Sequence, residues 1–192
     1  MARSRPARDK LLLDAVEAMP IISFSGTVWR VVRVDRDPLT CSAAGGRWDD
    51  QTFDVLYTST KADGAVAELY YHLTAGQPVP PSKAHYKLYD LRVSLTACMP
   101  IRSLGDLTAL GVRTNSFGQL SYAERQQEYP RSQEVAEAAY FLGRDGMIIP
   151  SARGEHPNLV LFCDHVRPEC LEVIGDQGRI DWAAWRRSPF SY

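Results

Sequence analysis

The feature of this sequence that most constrains its fold is the irregular order in which short strand and helix patterns follow one another. β-Branched and apolar runs predict strands at 27–34, 55–59, 86–95, 147–149 and 158–162. Helical periodicity predicts short helices at 11–19, 64–73, 104–110 and 133–142. A doubly wound parallel sheet requires regular strand–helix alternation, which is missing here. The sequence therefore predicts an α+β fold with many short strands and a few short helices.

Local signals predict where several of these elements begin or turn. Asp63 and Ser132 stand directly before two helix patterns, where a side-chain oxygen can accept from free backbone N–H groups, so both are predicted N-caps. The turn residues at 176–178 predict a closing hairpin over 171–180. Trp182 and Trp185 predict a tail that packs on the body of the protein.

Composition argues against several classes of function. The 192 residues carry 22 basic and 23 acidic side chains, a net charge of −1, which argues against direct nucleic-acid binding. No apolar run reaches membrane-spanning length, and Asp14 interrupts the Leu11–Leu13 run, which is too short for a signal-peptide core. The four cysteines form no Cys-x-x-Cys pair, so we expect a soluble cytoplasmic protein with reduced thiols. Cys163, His165 and Cys170 lack an evident fourth ligand, so no metal site is expected.

The richest stretch for chemistry lies between residues 45 and 68. Gly45 and Gly46 let the backbone pass close to a ligand, and Arg47 follows at once. A strand pattern then presents Tyr57, and a helix pattern presents Glu68 among apolar neighbours. Arginine suits a phosphate, an aromatic ring suits a flat base, and a lone carboxylate suits ribose chemistry. This pattern indicates a nucleotide-binding site.

Simpler interpretations of the same residues stay open from the pattern alone. Arg47 could be a surface side chain stacked on Trp48. Glu68 and His72 are four residues apart and could form an exposed helix pair. Arg30, which shares a strand face with apolar residues, could extend its charged end to solvent at a sheet edge. The chain has no Walker A loop, no Gly-x-Gly-x-x-Gly and no Gly-x-Ser-x-Gly motif.

Four ordered segments together resemble the RES domain, the toxin half of bacterial RES–Xre toxin–antitoxin pairs. They are Trp29–Arg33, Gly45–Trp48, Leu56–Ser59 leading to Ala67–Leu69 with His72, and Asp145–Ser151 with Asn158–Phe162. The three letters of the family name denote arginine, glutamate and serine, which we match to Arg30 or Arg47, Glu68 and Ser151. The resemblance covers about residues 27–162. Asp49 departs from it, because the family commonly has asparagine after the tryptophan.

The resemblance implies an ADP-ribosyltransferase-like fold, with split β-sheets around an NAD cleft. It predicts an N-terminal extension with a short helix at 1–26 and a single RES domain at 27–192. Family members consume NAD as substrate without a metal and halt growth. Some release nicotinamide by attack of water or phosphate, and others transfer ADP-ribose to a protein. The resemblance also implies a cognate Xre-family antitoxin that covers the cleft and carries any DNA binding. A non-enzymatic nucleotide-binding module is the alternative.

The resemblance also implies roles for individual residues. Glu68 would stabilise the oxocarbenium-like ribose that forms when nicotinamide leaves. Arg47, presented after Gly46, would bind the pyrophosphate with its planar fork. Arg30 would line the same cleft and contact phosphate or ribose, and Ser151 would hydrogen-bond nicotinamide or its ribose.

Three further residues complete the predicted site. Tyr57 would stack on nicotinamide or shape its pocket. His72 would orient Glu68, and Asn158 would contribute to NAD binding. Loops such as 114–131 would select the acceptor of ADP-ribose.

Overall fold

The computed structural model describes residues 8–74, 85–115, 117–118, 125–152 and 155–187. Two short 3-10 turns lie at Cys163–His165 and Pro168–Cys170. The helices and strands follow one another as α1 (Lys10–Glu17), β1 (Ile22–Arg33), β2 (Val55–Ser59), α2 (Ala62–Thr74), β3 (Tyr86–Pro100), α3 (Leu104–Ala109), α4 (Arg125–Phe141), β4 (Gly146–Ile149), β5 (Asn158–Phe162), β6 (Leu171–Arg179) and α5 (Trp182–Arg186). The predicted α+β fold is confirmed.

The six strands form one curled sheet that closes through the pairing of β1 with β3, and β6 pairs with β3. The strand order is β1-β2-β5-β4-β3-β6, and β1 also pairs antiparallel with β3. β3 and β4 pair in parallel where β3 ends, and β1 meets β2 at the pair Trp29–Ser59. The sheet therefore has two halves, β6-β3-β1 and β4-β5-β2, which diverge on either side of that pair. This divergence opens a cleft between β1 and β2.

Both faces of β5 are buried, which explains its unbroken apolar sequence. Leu159 and Leu161 point into a cluster with Val28, Leu56 and other residues between the two halves of the sheet. The alternate residues, Val160 and the fully buried Phe162, join a second cluster under α1, α3 and α4. β5 therefore contributes to both clusters, and this packing fixes the position of Asn158 at the beginning of the strand.

The helix α4 differs from the prediction. Ser132 does not cap a helix at 133; it lies inside α4, which begins at Arg125 and continues through Pro130. Its side chain is buried, because α4 packs that face into the core beside Val135 and Ala136. Tertiary packing therefore overrode the local capping signal. Asp63 is likewise in the first turn of α2 instead of before it.

The predicted closing hairpin is also wrong. Residues 171–179 form the single strand β6, antiparallel to β3. The turn residues are accommodated by register shifts in this pairing, and Gly178 has φ +83°. The predicted packing of the tail is confirmed, since α5 places Trp182 and Trp185 against Tyr70, with ring centroids 5.8 and 4.9 Å away.

The expectation of reduced thiols needs correction, because Cys41 and Cys163 form a disulfide. The two are 122 residues apart in sequence. Ser42 bridges to Val55, and Val55 pairs with Phe162, so the fold brings the two cysteines side by side. This neighbourhood depends on three separate segments, and sequence spacing could not reveal it.

Some predictions fall outside or at the margin of the described residues. The proline-rich loop 76–82 and residues 122–124 of a predicted helical piece lie outside them, whereas 125–127 belong to α4. The division at residue 27 stays a prediction, although α1 buries Leu12 and Val16 in the same core as α4. Across the described ranges, no helix combines the length and apolar character that crossing a membrane requires.

Candidate active site

The cleft between β1 and β2 contains a cavity of about 320 Å³. Strands, the helices α2 and α4, and loop residues form its walls. The lining includes Trp29, Arg30, Gly46, Arg47, Tyr57, Glu68, His72, Phe117, Tyr129 and Asn158. Seven of the eight residues singled out from the sequence are therefore brought together. The eighth, Ser151, lies between the lining residues Pro150 and Ala152 and contacts Glu68 directly.

Glu68 is held at the cavity by two hydrogen-bond donors. α2 packs against β1 and β2 and presents this half-buried carboxylate. The Ser151 hydroxyl donates to Glu68 Oε1 at 3.0 Å, and the Asn158 amide donates to the same oxygen at 2.9 Å. Neither bond uses Oε2. The interpretation of Glu68 as an exposed helix side chain is therefore wrong, because Ser151, which follows β4, and Asn158, which begins β5, both hold its carboxylate.

Arg30 is half-buried, and its charged end is held by the loop after β1. Its guanidinium donates to the backbone oxygens of Pro38 at 2.8 Å and Thr40 at 2.9 Å. Burial, and to a smaller extent the charge of Arg36, lowers the pKa of Arg30 to about 10. The group stays positively charged at neutral pH, lines the cavity and anchors the loop after β1.

Arg47 is stacked among aromatic rings. Its guanidinium carbon lies 4.4 Å from the ring centroid of Phe117 and 5.1 Å from that of Tyr129. Both distances fit cation–π contacts. Trp48 is buried in the core, so it is not the exposed stacking surface that the simpler interpretation required. The arrangement places a permanent positive charge on the wall of the cavity.

The loop that carries Arg47 is built around a buried carboxylate. Asp49 is fully buried and accepts from the backbone N–H groups of Gly45 at 2.6 Å and Gly46 at 2.8 Å. The Tyr57 hydroxyl donates to Asp49 at 2.9 Å and accepts from Trp48 N–H at 3.0 Å. Burial, and secondly the charge of Asp49, raises the pKa of Tyr57 well above its ordinary value. The phenol therefore stays protonated and donates.

Gly46 and His72 also line the cavity. A Cβ on Gly46 would meet the Tyr57 hydroxyl at 2.6 Å and Asp49 Oδ2 at 2.9 Å, so the site has no space for a side chain there. His72 lines the cavity on α2 and forms an edge contact with Tyr71. The predicted role of His72 in orienting Glu68 stays a prediction.

Sequence reasoning missed the residues that support the site. Phe117 and Tyr129 come from a polar, irregular stretch with no recognisable motif. Gln133 donates from α4 to the backbone oxygens of Gly46 and Asp49. Asp49 did have a signal, because it departs from the asparagine that the resemblance expects. Within the described ranges, no cluster of three or more His, Cys, Asp or Glu side chains could hold a metal ion.

The fold and the cavity together define an α+β protein with a ligand-sized cleft between the two halves of a curled sheet. The chain belongs to the RES domain family, whose sequence profile matches residues 27–183. The resemblance seen in the sequence is thereby confirmed.

Named relatives and a solved structure agree with this assignment. The NAD(+) phosphorylase MbcT of Mycobacterium bovis is 24% identical over 173 residues, covering 87% of this chain and 89% of that protein. MbcT of Mycobacterium tuberculosis has the same identity and coverage. The crystal structure of the M. tuberculosis MbcT–MbcA toxin–antitoxin complex matches with a TM-score of 0.77 and 22% identity, covering 94% of this chain and 97% of that chain. At this identity the structural match establishes the fold.

Proposed function

We propose that this protein is the toxin of a toxin–antitoxin pair and halts growth by degrading NAD through phosphorolysis. The observation that carries the proposal is the Glu68 carboxylate, held by Ser151 and Asn158 at the wall of a charged cavity. Membership of the RES family supports NAD as the substrate. The relatives at 24% identity are named NAD(+) phosphorylases, which favours phosphate over water or a protein side chain as acceptor.

The proposed reaction needs a stabilised ribosyl cation more than an acid. The bond between the anomeric carbon and nicotinamide breaks, and its electron pair neutralises the pyridinium nitrogen. A phosphate oxygen then bonds to the anomeric carbon, so the products are nicotinamide and ADP-ribose 1″-phosphate. The carboxylate of Glu68 would stabilise the positive charge that develops on the ribose. Its two donors hold it in place before the substrate arrives, which lowers the reorganisation cost.

The arginines would bind the negative groups of the substrates. Arg47, whose guanidinium lies over the rings of Phe117 and Tyr129, would bind the pyrophosphate of NAD. The guanidinium of Arg30 already donates to two backbone oxygens. We therefore propose that Arg30 supports the loop and contributes positive charge to the cavity, and that it does not bind a phosphate through a mobile side chain. Tyr57 uses its hydroxyl within the protein, and its ring would form part of the nicotinamide pocket.

The proposal includes a protein partner. The matching crystal structure is a complex of MbcT with MbcA, a toxin with its antitoxin. We expect a cognate antitoxin, of the Xre family that the resemblance implies, to cover the cleft of this protein in the cytoplasm and keep it inactive. DNA binding would then belong to the antitoxin.

The test is NAD consumption by the purified protein with and without phosphate, with the products separated by chromatography. We expect phosphate-dependent loss of NAD and formation of ADP-ribose 1″-phosphate. Glu68→Gln keeps the shape and removes the charge, so kcat should fall by at least about 100-fold. Glu17→Gln, at an exposed position on α1, is the matched control and should leave kcat unchanged.

Other outcomes separate the alternatives. Free ADP-ribose formed without phosphate would identify water as the acceptor, and labelled protein bands from labelled NAD in cell lysate would identify protein ADP-ribosylation. Binding of NAD without consumption under all these conditions would contradict the enzyme proposal and leave the nucleotide-binding module.

A further inference from the structure

We propose that Asp49 is a positioning residue that holds the Gly45–Trp48 loop so that Arg47 is presented to the pyrophosphate of NAD. This inference rests on the proposed function and adds to it a residue that does not touch the substrate. It also gives a structural role to the aspartate at position 49, where the family commonly has asparagine.

The single side chain of Asp49 holds several groups of the loop. Asp49 Oδ1 accepts from Gly45 N–H, and Oδ2 accepts from both Gly46 N–H and the Tyr57 hydroxyl. Tyr57 in turn accepts from Trp48 N–H. The backbone N–H groups immediately before and after Arg47 are therefore fixed by this carboxylate–phenol pair. We call Asp49 and Tyr57 the loop clamp.

The loop is also held from its other side, by a side chain of α4. The Gln133 amide donates to the backbone oxygens of Gly46 at 2.8 Å and Asp49 at 3.0 Å. Gly46 lies against both clamp side chains with no room for a Cβ. The loop backbone is therefore held through its N–H groups, its oxygens and close packing. Such a loop presents Arg47 from a fixed backbone, and the loss of entropy on binding is smaller.

Asparagine is not equivalent to aspartate at position 49. Three donors point at the two carboxylate oxygens of Asp49. An asparagine side chain offers one acceptor oxygen, because its nitrogen is a donor. Even in its better orientation, the substituted amide would leave Gly45 N–H facing an NH₂ group. A buried donor without an acceptor is costly, so the loop would shift to relieve it.

Arg47 connects the loop clamp to the cavity. Arg47 extends from the clamped backbone to a position over the rings of Phe117 and Tyr129. A guanidinium must lie within a narrow range of distance and angle to bind a phosphate through two hydrogen bonds. A shift of the loop would therefore weaken substrate binding while Glu68, on a different element, keeps its donors.

The experiment is a double-mutant cycle on NAD consumption by the full chain. Asp49→Asn should raise KM for NAD by about tenfold, the effect of one hydrogen bond to a charged group. We expect kcat to stay within about twofold, because the change weakens ground-state and transition-state binding alike. In an Arg47→Ala background, Asp49→Asn should change KM by less than about twofold, because the clamp acts through Arg47.

Asp50→Asn is the matched control, since it makes the same chemical change one residue away and outside the clamp. It should leave KM unchanged. An equal, multiplicative effect of Asp49→Asn in both backgrounds would overturn the proposal and indicate a merely structural role. A fall in kcat with unchanged KM, or no effect on either constant, would also overturn it.

Two further measurements keep the test decisive. If Asp49→Asn fails to fold, Tyr57→Phe removes the phenol oxygen between Asp49 and Trp48 N–H, and the same cycle with Arg47→Ala applies. If the protein binds NAD without consuming it, the proposed reaction fails but the cycle is measured on Kd by calorimetry, with the same expected pattern. Absence of both NAD consumption and NAD binding would overturn the clamp and the proposed function together.

Discussion

At the scale of single residues, the central contact is the pair of hydrogen bonds that Ser151 and Asn158 donate to Glu68. Ser151 follows β4 and Asn158 begins β5, and both donate to the same carboxylate oxygen. The carboxylate comes from a third element, α2. Its position therefore depends on three elements meeting, which explains why residues 83 and 90 positions apart in the chain act together.

We predict that Ser151→Ala lowers kcat for NAD consumption by about tenfold, because a hydrogen bond to a charged group contributes about 1.5 kcal/mol or more. The free energy of unfolding should change little, since the group is at the edge of the cavity. Steady-state kinetics measure the effect. Ser25→Ala, an exposed serine on β1, is the control and should leave kcat unchanged. An unchanged kcat in Ser151→Ala would contradict a role for this hydroxyl in positioning Glu68.

At the scale of elements, α4 illustrates how packing overrides a local signal. Ser132 follows Pro130 and Arg131 and precedes an apolar face, which is why it was predicted as an N-cap. In the structure it is a buried residue inside the helix, and its hydroxyl has no hydrogen-bond partner among the residues that the structure describes. By contrast, Ser103 does cap α3, in a reciprocal capping box with Asp106.

This difference predicts that a serine-to-alanine substitution changes the free energy of unfolding in opposite directions at positions 132 and 103. Ser132→Ala should raise the free energy of unfolding by about 1 kcal/mol, because it removes a buried, unsatisfied hydroxyl and improves helix propensity. Ser103→Ala should lower it by about 1 kcal/mol, because α3 loses its cap. Equilibrium unfolding in urea measures both. A loss of stability in Ser132→Ala as large as that in Ser103→Ala would restore the capping interpretation.

At the scale of the whole molecule, sequence reasoning succeeded where one continuous segment carries the signal. β2 and β5 have the bounds that were predicted, because both are short apolar runs buried on both faces and ended by polar residues. Glu68 and Arg47 were found because ordered family segments contain them. The start of β1 was missed, since residues 22–26 alternate with exposed polar side chains, and the end of β3 was missed, although Cys98 and Met99 are buried there.

Contacts between segments that are distant in the sequence, and that meet only when the sheet closes, could not be predicted from single segments. The hydrogen bonds to Asp49 join a loop to a strand, and the rings around Arg47 come from residues 70 and 82 positions further along the chain. The disulfide joins residues 122 positions apart. Each depends on which segments the curled sheet brings together, and that information is distributed over the whole sequence.

The cysteines show how the same side chain has different chemistry in different parts of the fold. Cys41 and Cys163 form the disulfide, whereas Cys98 and Cys170 are free. Cys98 is fully buried, and burial, with a smaller effect of the Asp145 charge, raises its pKa to about 12. Cys170 is partly exposed beside Arg167. Three classes of thiol reactivity are therefore expected in one chain.

We predict that a thiol reagent at pH 8 titrates one thiol in the native oxidised protein, Cys170, since Cys98 is buried and almost entirely protonated. Unfolding without a reductant should expose Cys98 and raise the count to two, and unfolding after reduction should give all four. Reduction should also lower the free energy of unfolding by about 2–4 kcal/mol, because the disulfide closes a long loop. Cys41→Ser should reproduce that loss, whereas Cys170→Ser should not. Four reactive thiols in the unfolded, unreduced protein would mean that the bond is absent and that the original expectation of reduced thiols was correct.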